Sequence, residues 1–336
     1  MVQAHNEDTL STSSKVNLLQ FKRITNALLE RCAIPASVLP LDRELYDACK
    51  EIASSEFLLP STVYPWFEKY LSVGVMLASI GYPHLPYRAR VHVAIYTACL
   101  NALDDVFQTD PEHLGGFHER FTKGLPQGDP IQDFLVKILQ DTPKYYGRLQ
   151  TALIITSTLD FVTSLSVELE IREMKDVSEF NTSFAAYCRD LSGIGVAYAM
   201  FIFTEDVPFA TYVPCMTHMK TYLNCIKYES LVITWFRSTD DDVDAYSDVL
   251  SFYKEELNGE EDNYASILAK GASITKYDAV QRLANDVAEA DEKILKALYG
   301  HQAAIDSWKS VRAGFVTFHF SCPRYNLEEV FGEHYV

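Results

Sequence analysis

The chain has 336 residues, 48% of them hydrophobic and 12% aromatic, with only 14 Gly and 13 Pro. That is ample apolar material for a large buried core, and it excludes an extended disordered chain. The formal net charge of -17 excludes a protein that grips nucleic-acid phosphates through a basic face, but an anionic ligand carried with divalent cations stays open.

Residues 1–14 are polar and acidic and read as a flexible N-terminus, unlike a signal or transit peptide. From residue 15 onward helical periodicity dominates. Helices are expected over about 15–32, 42–56, 62–81, 87–107, 130–146, 148–174, 179–204, 212–237, 243–257, 262–270, 276–299 and 303–321. Breakers separate them: GYPHLPY at 81–87, GLPQGDP at 124–130, EDVPF at 205–209 and NGEEDN at 258–263. Alternating strand patterns are missing, and no linker is long enough to divide the chain. One all-α domain over 15–336 is the economical reading. The stretch TALIITSTLDFVTSLSVELE at 151–170 is apolar on more than one face, which suits a central helix in a large bundle with a pocket. The greasiest run, GVAYAMFIF at 195–203, is too short to span a membrane. Cys32, Cys49, Cys99, Cys188, Cys215, Cys225 and Cys322 are scattered without a CxxC pair, as reduced thiols of a cytoplasmic protein would be.

Four polar groupings interrupt this apolar pattern. The helix from Tyr87 closes on Asp104 and Asp105, with Asp110 beyond, in LNALDDVFQTD. Carboxylates at the negative end of a helix dipole are unfavourable, so a cation there would explain them, and Mg²⁺ takes such hard oxygen ligands. A solvated helix end is the plain alternative. In SDVLSFYKEE, Ser247, Ser251 and Glu255 share one helical face while Lys254 can reach an anion. An ordinary polar helix explains this stretch as well. In YCRDLSGIGVAYAMF, Arg189 precedes Gly193 and Gly195, which suggests a helix break or a close backbone approach, and at a break a guanidinium could grip phosphate. The alternative is an Arg paired with Asp190 or Glu168. Finally, Arg324 and Tyr325 in CPRYNL both donate hydrogen bonds.

Taken together in this order, these stretches resemble the class I terpene cyclases, and within them the fungal sesquiterpene cyclases of the trichodiene synthase type. STLDF (157–161), RDLSG (189–193), SDVLSFYKEE and PRY (323–325) carry the likeness, which runs from about residue 85 to the C-terminus. The resemblance implies one α-helical domain around an apolar central cavity, with three Mg²⁺ ions binding a diphosphate at its mouth. Asp104, Asp105, Ser247, Ser251 and Glu255 would serve the metals, Asp105 pairing with the C-terminal Arg on closure. Arg189, Lys254, Arg324 and Tyr325 would contact diphosphate, and Tyr96, Phe161, Trp235 and Phe318 are candidate cavity aromatics facing a carbocation. The expected reaction is cyclisation of farnesyl diphosphate to a macrocyclic skeleton such as humulene, or to a multicyclic one.

The chain also departs from the family pattern. Ser247 stands where the family has Asn or Asp, the first motif reads DDxxxxD, and Arg189 precedes Ser247 by 58 residues, an excess assigned to an insertion around 236–245. The rival enzyme is a chain-elongating prenyl transferase, which normally carries two aspartate-rich motifs. The rival of another class is a non-catalytic helical scaffold that binds proteins. A homodimer is compatible with the sequence, although no interface is visible in it.

Overall fold

Apolar runs punctuated by polar breakers fold into helix after helix. The computed structural model describes residues 7–55, 63–109, 114–172, 182–192, 194–226, 249–250, 252, 264–325 and 327–332, and no strand occurs among them. In chain order the α-helices are α1 (Glu7–Cys32), α2 (Arg43–Ser55), α3 (Tyr64–Met76), α4 (Tyr87–Thr109), α5 (Phe117–Lys123), α6 (Pro130–Asp141), α7 (Arg148–Arg172), α8 (Thr182–Ser192), α9 (Gly195–Phe201), α10 (Phe209–Tyr212), α11 (Met216–Ile226), α12 (Tyr264–Ala272), α13 (Lys276–Ala297), α14 (Gln302–Ser321) and α15 (Leu327–Phe331).

Local chemistry accounts for several of the boundaries. Asp129 caps α6 by accepting from the backbone N–H of Ile131 and Gln132, both at 2.9 Å, and Pro130 fits the first turn. Thr275 and Asp278 close a reciprocal capping box on α13. α3 passes into a π-helical turn at Leu77–Gly81, which delivers Tyr82 to the core. Three differences from the sequence expectation stand out. α1 begins at Glu7 rather than near 15, with acids in its first turn. The expected helix over 179–204 is two helices, and the short α5, α10 and α15 were not anticipated.

α4 is the axis of the molecule. Residues 91 to 104 are buried on every side, and α3 packs along it. The approach is close because Gly74 has no side chain; a Cβ there would lie 2.2 Å from the Ala94 carbonyl oxygen. Gly314 of α14 similarly lets that helix press on the π-turn at Ile80. α13 and α14 are tied by a buried ion pair in which Arg312 donates to Asp291, whose other oxygen accepts from the Trp308 indole at 2.7 Å. Removing one partner of such a pair leaves a buried charge uncompensated, at a cost of about 3–5 kcal/mol. Burial raises the thiols of Cys32 and Cys49 to about 12 and that of Cys215 to about 11, so these cysteines are inert core residues. Among the described residues, no helix is long and apolar enough to cross a membrane.

Candidate active site

The acidic pair lies on the axial helix. Asp104 and Asp105 do not close α4, as the sequence suggested, because the helix continues to Thr109. The dipole penalty fades within the last turn, so it is not what makes this pair costly. Burial is. Asp104 is 4% exposed on a helix otherwise packed with apolar side chains. Its neighbour turns outward, where Asp105 accepts from the Tyr70 hydroxyl and lies 3.3 Å from the Lys69 ammonium, both on α3. One turn and two turns before Asp104, on the same face, come Asn101 and Thr97, both buried.

Arg189 sits at the end of α8, 5% exposed. Its guanidinium donates to the backbone carbonyl of Asn224 on α11. Asp190, a candidate partner in the sequence, instead pairs with Lys220 at 2.9 Å. The expected break follows at once. Ile194 takes φ 46, a left-handed conformation rare for a β-branched residue, and α9 restarts at Gly195. A Cβ at Gly195 would lie 2.3 Å from Asn224 Oδ1, so any larger residue would displace that side chain. Asn224 Oδ1 and Ser192 Oγ are buried and have no hydrogen-bond partner among the described residues. Strained backbone and unmet polar atoms gather where ligands are handled. Neither residue was a sequence candidate, since a single Asn or Ser in a helical run carries no signal of its own.

Further back along α4 the side chains are aromatic and neutral. Phe201 of α9 is ringed by Tyr96 at 5.1 Å, Tyr146 at 5.3 Å, Tyr198 at 5.9 Å, His92 at 6.2 Å and Tyr82 at 6.5 Å. Most of these contacts are edge-to-face, the arrangement that ring quadrupoles favour. Tyr96 and Tyr198 hydroxyls bond to Thr158 and Thr97, at 2.8 and 2.9 Å, and Tyr82 donates to the Tyr198 carbonyl at 2.9 Å. Burial drives the phenols of Tyr82, Tyr96 and Tyr146 far above their usual range and pulls His92 down to about 4. The cluster is therefore uncharged at neutral pH.

The other sequence candidates divide in two. Phe161 and Phe318 are fully buried, and Tyr325 is buried with its ring 5.9 Å from Phe318 and 4.6 Å from His319. Asp110, Trp235, Ser247, Ser251, Lys254 and Glu255 lie outside the described residues, as do the proposed insertion at 236–245 and the side chain of Arg324. Val249, Leu250 and Phe252, within the second motif, are all buried. Among the described residues no three His, Cys, Asp or Glu side chains form a metal cluster.

Comparison with known proteins gives this arrangement its relatives. The profile of the family described as trichodiene synthase (TRI5) matches residues 69–335. Alpha-cuprenene synthase COP6 of Coprinopsis cinerea is 29% identical over 324 residues, covering 95% of this chain and 92% of that protein. Longiborneol synthase CLM1 of Gibberella zeae is 30% identical over 275 residues, covering 77% and 73%. Monoterpene synthase 25 of Postia placenta is 26% identical over 321 residues, covering 94% and 88%. In structure the chain is similar to linalool/nerolidol synthase from Streptomyces clavuligerus, with a TM-score of 0.60 at 14% identity over 85% of this chain and 98% of that one. Hedycaryol synthase in complex with nerolidol gives 0.57 at 13% identity, over 85% and 96%. The structural likeness establishes an all-α class I terpene synthase fold. The matched profile goes further: this chain belongs to the trichodiene synthase family and is a terpene cyclase.

Proposed function

We propose that this terpene cyclase ionises farnesyl diphosphate with Mg²⁺ and cyclises the resulting carbocation to a sesquiterpene, releasing diphosphate. The observation that carries the reading is the buried Asp104 carboxylate on an apolar helix, with a neutral aromatic cluster further back along the same helix. A carboxylate kept at a buried position of an apolar helix is a hard-oxygen ligand of the kind a divalent cation takes. Its hard oxygens, with the hydroxyl and carboxylate oxygens of the second motif, suit Mg²⁺ rather than a softer metal. In this reading Asp104 serves one side of the metal site, Ser247, Ser251 and Glu255 serve the other, and three ions follow from the family pattern; Asp105 would join them only by leaving Tyr70 and Lys69. Bound there, Mg²⁺ would supply Lewis-acid stabilisation of charge on the departing diphosphate.

The protein's own groups do the rest. Arg189, Lys254, Arg324 and Tyr325 bind the diphosphate through charge-assisted hydrogen bonds, which strengthen as charge develops on the leaving group. Arg189 is held ready by the Asn224 carbonyl. The packed cluster of Tyr96, Tyr198 and Phe201 keeps water from that end of α4, and in the family pattern Tyr96, Phe161 and Phe318 are the rings that would face the carbocation. His92, neutral beside Phe201, adds no positive charge there.

The test is incubation of the chain with farnesyl diphosphate and Mg²⁺, following diphosphate release and analysing volatile products by gas chromatography with mass detection. A cyclic C15 product that disappears on chelation is the expected result. Turnover of geranyl diphosphate alone would shorten the assigned substrate. A longer diphosphate formed when isopentenyl diphosphate is added would replace cyclisation by chain elongation.

A further inference from the structure

Asn101 is a buried amide one helical turn before Asp104 and on the same face of α4, and it is 2% exposed. Its Nδ2 donates to the Thr97 backbone carbonyl at 2.9 Å. That bond fixes the orientation of the amide, since the reversed group would set two carbonyl oxygens against each other. Oδ1 is thereby directed elsewhere, and it is buried without a donor among the described residues. The Thr97 hydroxyl on this face is engaged with the Tyr198 hydroxyl at 2.9 Å. A leucine would fill the same space without leaving a buried acceptor unmet, so packing alone gives no reason for an amide here.

We propose that Asn101 is a positioning residue of the metal site, its Oδ1 accepting a hydrogen bond from a water bound to the divalent cation that Asp104 holds. The inference rests on the reading of Asp104 as a metal ligand. Mg²⁺ retains several of its waters when it binds through one or two carboxylates, and each such water is a strong donor in need of an acceptor. A buried amide oxygen one turn from the ligand is suited to take one of them and so to fix the orientation of the coordination sphere. Groups of this kind outside the ligand set commonly alter metal affinity by about 10–100-fold when removed. The residue neither touches the reacting carbon atoms nor moves a proton.

The test uses the full chain and no turnover. Mg²⁺ is titrated at fixed inorganic diphosphate, with the thermal melting midpoint as readout, for the wild type, Asn101→Leu, Asn101→Asp and Asp104→Asn. Asn101→Leu is expected to melt no lower than the wild type without ligand, because it removes an unmet buried acceptor. It should also need about tenfold more Mg²⁺ for the same stabilisation. Asn101→Asp, which keeps an acceptor oxygen, should require no more Mg²⁺ than the wild type. An unchanged Mg²⁺ requirement in Asn101→Leu, with Asp104→Asn strongly impaired, would overturn the role of Asn101 and leave that of Asp104 standing. So would a leucine variant that melts lower without ligand yet responds normally to Mg²⁺, which marks a purely structural residue. If Asp104→Asn itself responds like the wild type, the metal reading of Asp104 fails and this inference falls with it.

Discussion

His92 and Asp104 lie twelve residues apart on α4, about 18 Å along its axis, and their surroundings are opposite in kind. Around His92 the protein has removed charge. The imidazole is neutral, the phenols stay protonated, and most polar atoms have partners, the Tyr146 hydroxyl being an exception. At Asp104 and at Arg189 charge is retained in buried positions, and Asn101, Ser192 and Asn224 keep polar atoms with no partner among the described residues. Stability explains the first region. It does not explain the second, where the unmet oxygens of Asn101, Ser192 and Asn224 each cost folding free energy that a bound ligand would return.

The sharpest way to break that contrast is to remove the charge at the costly end. Asp104→Asn should lower turnover about 10²–10³-fold, the range typical of losing one electrostatic stabiliser, while the chain still folds. Diphosphate release and a thermal melt read both, and near-normal activity at limiting Mg²⁺ would place the metal elsewhere. Glu255→Gln should behave alike if the second motif faces the same ions. Arg189→Lys keeps the charge and loses the planar fork, so turnover should fall about 10²-fold. Unaltered kinetics would make the contact with the Asn224 carbonyl a purely structural one.

The neutral end makes a different prediction, in stability rather than rate. The folded pKa of His92, about 4, is depressed below the ordinary 6.5 by burial. Between these values the unfolded chain takes up a proton that the folded one refuses, so stability falls as the pH drops from 6.5 toward 4. The loss attached to this one group is up to about 3 kcal/mol. Urea melts at pH 7, 5.5 and 4.5 should show that slope, and His92→Gln should flatten it. His84, whose pKa burial also lowers, contributes in the same direction. An identical pH profile in the variant would mean that His92 is not neutral in the fold.

The smallest effect concerns the departure at residue 247. An amide oxygen ligates Mg²⁺ better than a neutral hydroxyl, so Ser247→Asn should hold or improve apparent Mg²⁺ affinity and Ser247→Ala should weaken it severalfold at most. A Mg²⁺ titration of diphosphate release distinguishes them. An alanine variant indistinguishable from serine removes residue 247 from the ligand set.

The helical architecture was legible because apolar periodicity and breakers are local, and Asp104 and Arg189 were found as charges out of place in apolar runs. Their surroundings were not legible. Asp105 meets Lys69 and Tyr70, Arg189 meets the Asn224 carbonyl, and Tyr96 meets Phe201, each contact joining different helices. Asn101 and Asn224 looked like ordinary polar residues within helices until their oxygens proved to be buried without donors.

The sequence by itself determined an all-α chain, which of its carboxylates and guanidinium groups interrupt apolar helices, and that Gly193 and Gly195 mark a special place after Arg189. Those properties depend on residues within a few turns of one another. Only the tertiary structure decided that α4 runs past its acids, that burial rather than the helix dipole makes Asp104 costly, and that a ring of aromatics from four separate stretches closes around Phe201. Desolvation and ring contacts arise from which helices pack together, and a side chain's own neighbours in sequence carry no record of that packing.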